Sequence, residues 1–361
     1  MNKKKLFTAF TAGLIALSML SGCGKKEEVV EETGDYSINA TETSMITDDT
    51  NISLSKDGQM ISDLTGEWID EDLAKRKPIA VMVNNIIDAM PQSGVENADV
   101  IYEMLEEGGI TRLMCLFTDY DDMEKIGPCR SARYYYDRKA VEHQALFVHW
   151  GRSVYCLEDF DNYPGIEHVD FNETPGGFRS DDRVAPHNAY VSGKGINDWR
   201  ASAPYSLEKN ENYKKMFAFN LEDTEIEGDA ANKITTEYNS GRKPWFEYDA
   251  DAKVYKRFQY GEAQIDKETN NQLQFKNVLI QFVPHAPYPD DEVGSLVIDF
   301  VGKGEGWYAT DGKIIPITWE KKEETDVTTF YTKDGNQLKM NPGKTWVSIF
   351  PDDNKAGIVV E

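Results

Sequence analysis

Seven arginines crowd the stretch between residues 112 and 183: Arg112, Arg130, Arg133, Arg138, Arg152, Arg179 and Arg183. The chain around them is acidic, with 63 Asp and Glu against 39 Lys and Arg and a formal charge of −24. Arginines gathered in such a background serve either an anion or internal carboxylates. A guanidinium presents a planar fork that matches carboxylate or phosphate oxygens at two points. Gly127-Pro128-Cys129-Arg130-Ser131 leads into a helix-prone stretch, and backbone N–H groups at a helix start suit an anion. The binding reading is a pocket built by Arg130, Arg133 and Arg183, with Arg112, His187 and Asn188 as further ligand contacts. The competing reading is internal salt bridging to Glu103, Glu106 or Asp182.

Asp182-Arg183-Val184-Ala185-Pro186-His187-Asn188 is the most pointed segment. Pro186 restricts the residue before it. Asp182 is placed to orient Arg183 or one nitrogen of His187. His187 is the candidate general acid or base, because imidazole titrates near neutral pH. Its nucleophile would be Ser131, Ser153 or Ser180, and no Gly-x-Ser-x-Gly elbow supports any of them. His149 beside Trp150 reads as packing. Asp119, Asp121 and Asp122 lack the ligand order and central glycine of a calcium loop, and read as a solvated loop. Gly302-x-Gly304-x-Gly306 lies between strand-like runs with no helix after it, so it is no dinucleotide motif. No metal site and no cofactor are expected.

Four cysteines occur. Cys115 lies in an apolar run and reads as core. Cys129 and Cys156 are free to pair, although nothing in their spacing requires it. Cys23 is different in kind. Lys3, Lys4 and Lys5 precede a mostly apolar run over residues 6–20, which ends in Leu20-Ser21-Gly22-Cys23. A basic head, a short apolar stretch and small residues before a cut site make a signal peptide. The run is shorter than the ~20 apolar residues a membrane-spanning helix needs. Leu-Ser-Gly-Cys resembles the lipobox of bacterial lipoproteins, which implies acylation of Cys23 and anchoring by acyl chains such as palmitate on the extracytoplasmic face.

These candidates need elements to hold them. Residues 1–22 read as signal peptide. Residues 23–66 read as the lipidated cysteine and a flexible acidic tether, too polar to offset its ordering entropy. Residues 67–225 read as an α/β-type domain. Residues 78–83 form a buried strand, 100–105 and 110–117 a hairpin about Gly108-Gly109, residues 131–143 a helix, and 145–150 another buried strand. Residues 193–217 are helix-prone but broken by Pro204. Residues 226–361 read as a smaller, mostly antiparallel β domain, with hairpin turns at Asp311-Gly312 and Asp334-Gly335. Its aromatics, Trp245, Tyr255, Trp307, Tyr308, Trp319 and Trp346, supply core and a candidate surface for stacking sugar rings. The fold class is α+β: a mixed sheet with covering helices, then the β domain.

Five ordered segments carry a family resemblance: Pro91-Gln92-Ser93-Gly94, residues 98–103, residues 107–112, Ile126-Gly127-Pro128-Cys129-Arg130-Ser131-Ala132-Arg133, and Ala185-Pro186-His187-Asn188. Over roughly residues 77–351 the chain resembles the YerB-like lipoprotein family, which has a domain of unknown function followed by a separate C-terminal domain. The resemblance implies an envelope lipoprotein and brings no settled activity or catalytic residue. Cys129 departs from the small aliphatic residue expected there, which argues against a shared thiol nucleophile.

The expectation is a non-catalytic, lipid-anchored extracytoplasmic protein that binds an anionic envelope ligand or a protein partner. Its acidic surface should repel nucleic acid. One alternative is a phosphotransferase or hydrolase acting on a phosphorylated envelope glycan or lipid carrier. Strand, arginine-bearing turn and helix in that order are loosely similar to the LytR-CpsA-Psr phosphotransferases. The other alternative is a scaffold for an envelope complex.

Overall fold

The computed structural model describes residues 55–210 and 212–361. The signal peptide, Cys23 and the tether as far as residue 54 lie outside the described residues. The tether reading is corrected at its far end. Ser55–Lys56, Gln59–Ile61 and Trp68–Asp70 form a three-stranded antiparallel ribbon. Asp57 and Gly58 both have positive φ, the backbone of a tight two-residue hairpin turn, and Leu64 is buried. An Asp-Gly pair in a polar stretch was the signal for that turn.

The body is organised on one mixed sheet. Its main strands are β1 (Ile79–Asn84), β2 (Val100–Leu105), β3 (Thr111–Phe117), β4 (Leu146–His149), β5 (Glu167–Asp170), β6 (Asn277–Val283), β7 (Gly302–Thr310), β8 (Lys313–Lys321) and β9 (Thr345–Pro351). Their spatial order is β8-β7-β6-β9-β2-β3-β1-β4-β5. β1, β4 and β5 run parallel to one another, as do β6, β9 and β2. The turn at Glu107–Gly109 closes the β2–β3 hairpin, and Asp311-Gly312 closes β7–β8, as their residues require.

Apolar runs without polar alternation indicate strands covered on both faces. In β1, Ile79, Val81 and Val83 belong to one core, and Ala80 and Met82 to the other. The first core is closed by helix Gly193–Arg200 and by a second, antiparallel sheet that includes Lys233–Thr236, Trp245–Asp249, Val254–Gln259 and Ile358–Val360. The second is covered by helices Tyr134–Glu142 and Tyr155–Asn162. The helix after Ser131 begins at Tyr134, with Arg133 as its N-cap. The helix-prone stretch over residues 193–217 is helical only at Gly193–Arg200.

The fold is α+β, and the chain halves interlock within it. β9, nearly last in sequence, pairs in parallel with β2 from the first half, with Thr345 opposite Val100. A parallel pairing across more than two hundred residues leaves no local pattern to read. A buried ion pair locks the second sheet to the first: Arg257 Nη2 donates to Glu103 Oε2 at 2.7 Å, both side chains being fully buried. The other carboxylate oxygen accepts from Thr111 and Asn85, and Phe246 and Trp346 flank the guanidinium at 4.5 and 4.3 Å.

Candidate functional site

The carboxyl ends of β1, β4 and β5 share one edge of the sheet, the side on which open α/β sheets usually hold ligands. The residues after Ile126 are drawn across this edge. Arg130 N donates to Met82 O at 3.0 Å, Asn84 N donates to Pro128 O at 2.8 Å, and Trp150 N donates to Arg130 O at 3.0 Å. The segment therefore lies between the ends of β1 and β4. The chain around His187 lies alongside it, with Cys129 N donating to Ala189 O at 2.6 Å. The bonds Gly127-Pro128 and Ala185-Pro186 are both cis.

The structure sorts the arginines. Arg112 is buried against Glu106 at 2.5 Å and donates to Ser131 O. Burial holds the Glu106 carboxyl above its usual range, although Arg112 and Arg133 pull it down. Arg133 clasps Glu107 with two hydrogen bonds of 2.7 Å. Partial burial works against charge on Glu107, but the bonds from Arg133 prevail and keep it below the ordinary range. Arg138 pairs with Asp159 at 2.8 Å and Arg152 with Asp170 at 2.7 Å. Arg183 donates to the carbonyls of Ala89 and Pro91, where it fastens a loop. Arg179 lies over Trp150 and donates to Asn188 Oδ1 at 2.8 Å, while Asn188 Nδ2 donates to Ser180 O. Asp182 pairs with Lys267 and Lys125, not with Arg183.

Arg130 is the exception. Among the described residues its guanidinium meets no carboxylate, carbonyl or amide partner, and Nε is buried without one. Partial burial and the neighbouring charge of Arg112 both work against its protonated form. The expected pocket of Arg130, Arg133 and Arg183 therefore reduces to one arginine with free valence, and Arg112, Arg133, Arg183 and Asn188 are engaged in holding the edge together.

His187 Nδ1 lies 2.9 Å from Asn84 Nδ2. An amide N–H must donate, so the ring is neutral, accepts at Nδ1 and keeps its proton on Nε2. Partial burial and then the charge of Arg130 lower its affinity for a second proton. The serines go elsewhere: Ser131 donates to Trp150 O, Ser153 contacts Cys156 Sγ, and Ser180 donates to Asp182. His149 is buried, stacks near Phe160 and His168, and lies 3.2 Å from His168 Nδ1. Asp121 is bound by Arg76 and Asn197. Cys129 and Cys156 are separate buried thiols, as is Cys115, so the pairing left open above is not made. Burial pushes the Cys129 thiol up to about 12, which leaves it inert as a nucleophile. Asn84 was missed in the sequence. Its signal was an amide placed directly after a wholly apolar strand.

Two family models match the chain: residues 64–206 match the N-terminal domain of the protein of unknown function DUF3048, and residues 234–347 match its C-terminal domain. "Putative lipoprotein YerB" of Bacillus subtilis (strain 168) is 30% identical over 300 residues, 82% of this chain and 87% of that protein. The chain belongs to the YerB-like DUF3048 family. The crystal structure of the Bacillus subtilis YerB protein superposes with a TM-score of 0.73 at 28% identity, covering 83% of this chain and 99% of the other. The two DUF3048 segments meet inside the main sheet, where β9 and β2 pair.

Proposed function

We propose that the protein is a lipoprotein acylated at Cys23 and held on the extracytoplasmic face of the cell membrane, where the sheet edge at Arg130 binds an anionic envelope ligand. The carrying observation is the unanswered guanidinium. In a chain of formal charge −24, six neighbouring arginines are engaged by the protein, and among the described residues Arg130 has no partner. Arg130 offers charge-assisted hydrogen bonds to phosphate or carboxylate oxygen, and His187 Nε2–H offers a neutral donor beside it. The ring accepts from Asn84 rather than from a hydroxyl, which supports binding over turnover. The lipoprotein name of the Bacillus subtilis relative and the lipobox-like Leu20-Ser21-Gly22-Cys23 support the anchor.

Two measurements test this. Cys23→Ser should move the protein from the membrane fraction to the soluble fraction and abolish acyl labelling; retained labelling sinks the anchor. In the Cys23→Ser background, polyprenyl phosphates and phosphorylated glycans should raise the melting temperature, and Arg130→Ala should remove that rise while leaving the unliganded melting temperature nearly unchanged. An equal rise in both proteins would place the anion elsewhere.

A further inference from the structure

A cleft opens at the same sheet edge, on the side of the second sheet. It has a volume of about 350 Å³ and is lined by Thr111, Arg242, Lys243, Trp245, Gln259 and Tyr260 among others. Clefts of this size hold one small ligand ring. Two loops build it, and both are pinned. The turn after Val254–Gln259 places Tyr260 and Gly261 at positive φ, a tight hairpin geometry. Tyr260 Oη then donates to Asn85 O at 2.9 Å, just past the end of β1. On the other side, Asn239 Nδ2 donates to Gly109 O at 2.7 Å and so fastens the loop carrying Arg242 and Lys243 to the β2–β3 turn.

The polar groups in this cleft are specific. Gln259 is only 7% exposed. Its Nε2 donates to Asn85 O at 3.1 Å, and a carbonyl can only accept, so the amide orientation is fixed. Oε1 is therefore the remaining atom, and it is buried with no partner among the described residues. A buried acceptor without a donor costs stability unless something supplies one. Arg242 Nη1 donates to Tyr260 Oη at 2.7 Å, and among the described residues no carboxylate pairs with Arg242. Lys243 is held to Glu237 at 2.9 Å. Trp245 is partly exposed, with one face against Phe258 at 5.0 Å and Nε1 bound to Glu247.

We propose that this cleft binds one pyranose ring bearing an acidic substituent. A sugar hydroxyl donates to Gln259 Oε1, the acidic group meets Arg242, and the ring packs against the aromatic face of Tyr260. A flat amphipathic sugar needs that combination of an apolar face, a fixed neutral acceptor and a cation. The assignment stands independently of Arg130.

Saturation-transfer NMR on the Cys23→Ser chain tests it with glucose 1-phosphate, glucuronate and glucose, and with inorganic phosphate as a competitor. The two acidic sugars should bind, with glucose about tenfold weaker, since charge-assisted hydrogen bonds exceed neutral ones by that order. Arg242→Gln keeps a donor for Tyr260 and should reduce the acidic sugars to the level of glucose. Gln259→Met should weaken all three sugars, and Arg130→Ala should leave them unchanged. The proposal is overturned if neither acidic sugar transfers saturation, if an equal concentration of inorganic phosphate removes half or more of the glucose 1-phosphate signal, or if Arg130→Ala abolishes sugar binding while Arg242→Gln does not.

Discussion

Arg257 and Arg130 lie in the same molecule with opposite surroundings. Arg257 is fully buried, held at 2.7 Å by Glu103 and flanked by two aromatic rings. Arg130 sits at a strand edge, where burial and the charge of Arg112 outweigh the attraction of Glu106, and it has no hydrogen-bond or ion-pair partner among the described residues. The first arrangement joins two sheets; the second leaves a charge available to something outside the protein. An arginine's meaning is therefore set by whether the fold supplies a carboxylate, not by its presence in a cluster.

The comparison is broken most severely at the buried pair. Glu103→Ala leaves Arg257 charged and unpaired between the sheets, and should cost about 3–5 kcal/mol in denaturant unfolding. Glu103→Leu combined with Arg257→Met should recover most of that loss. If the single substitution costs less than about 1 kcal/mol, water reaches the pair and the lock described above is wrong.

A smaller effect comes from acid. Burial holds His143 down to about 3 and His149 down to about 4, against 6.5 when unfolded. The folded values lie below the unfolded one, so the unfolded chain takes up protons that the folded chain refuses. The stability from the neutral rings is complete above pH 6.5 and is lost as pH falls toward 4. Melting temperature should decline over that interval, and His143→Phe with His149→Phe should flatten the decline. A pH-independent melting curve in the unsubstituted protein would show that neither ring is held neutral.

The smallest effect sharpens the contrast. Arg130→Ala should leave the unfolding free energy unchanged within about 0.5 kcal/mol or raise it slightly, because a part-buried guanidinium without a structural partner among the described residues contributes nothing to lose. Arg133→Ala should cost more, about 1 kcal/mol, because it strands Glu107. Reversal of that order would make Arg130 structural.

Much of this was legible in the sequence, for physical reasons. The unbroken apolar run of β1 and the Gly108-Gly109 and Asp311-Gly312 turns are local signals, and each element formed. The arginine cluster was legible as a cluster but not as its parts. Glu106 and Glu107 are the partners that divide it, and which arginine each reaches depends on how β3 and the residues after Ile126 meet in space. Arg183 was read as a ligand contact, yet it binds two carbonyls, which carry no side-chain signature. Gln259, Trp245 and Tyr260 are far from Thr111 in sequence, and only sheet packing brings them to one cleft.

The place of β9 bears on how the protein is made. A growing chain exposes the open edge of β2 until residues 345–351 have emerged, since that late strand is the bridge to β6. Thr345 follows its partner Val100 by 345 − 100 = 245 residues, so this seam closes only after that whole stretch is available. A chain lacking residues 345–351 thus carries two raw strand edges instead of one continuous sheet, and such edges recruit other chains. β9 is the strand on which the continuity of the sheet depends: without it, β2 and β6 have no common neighbour.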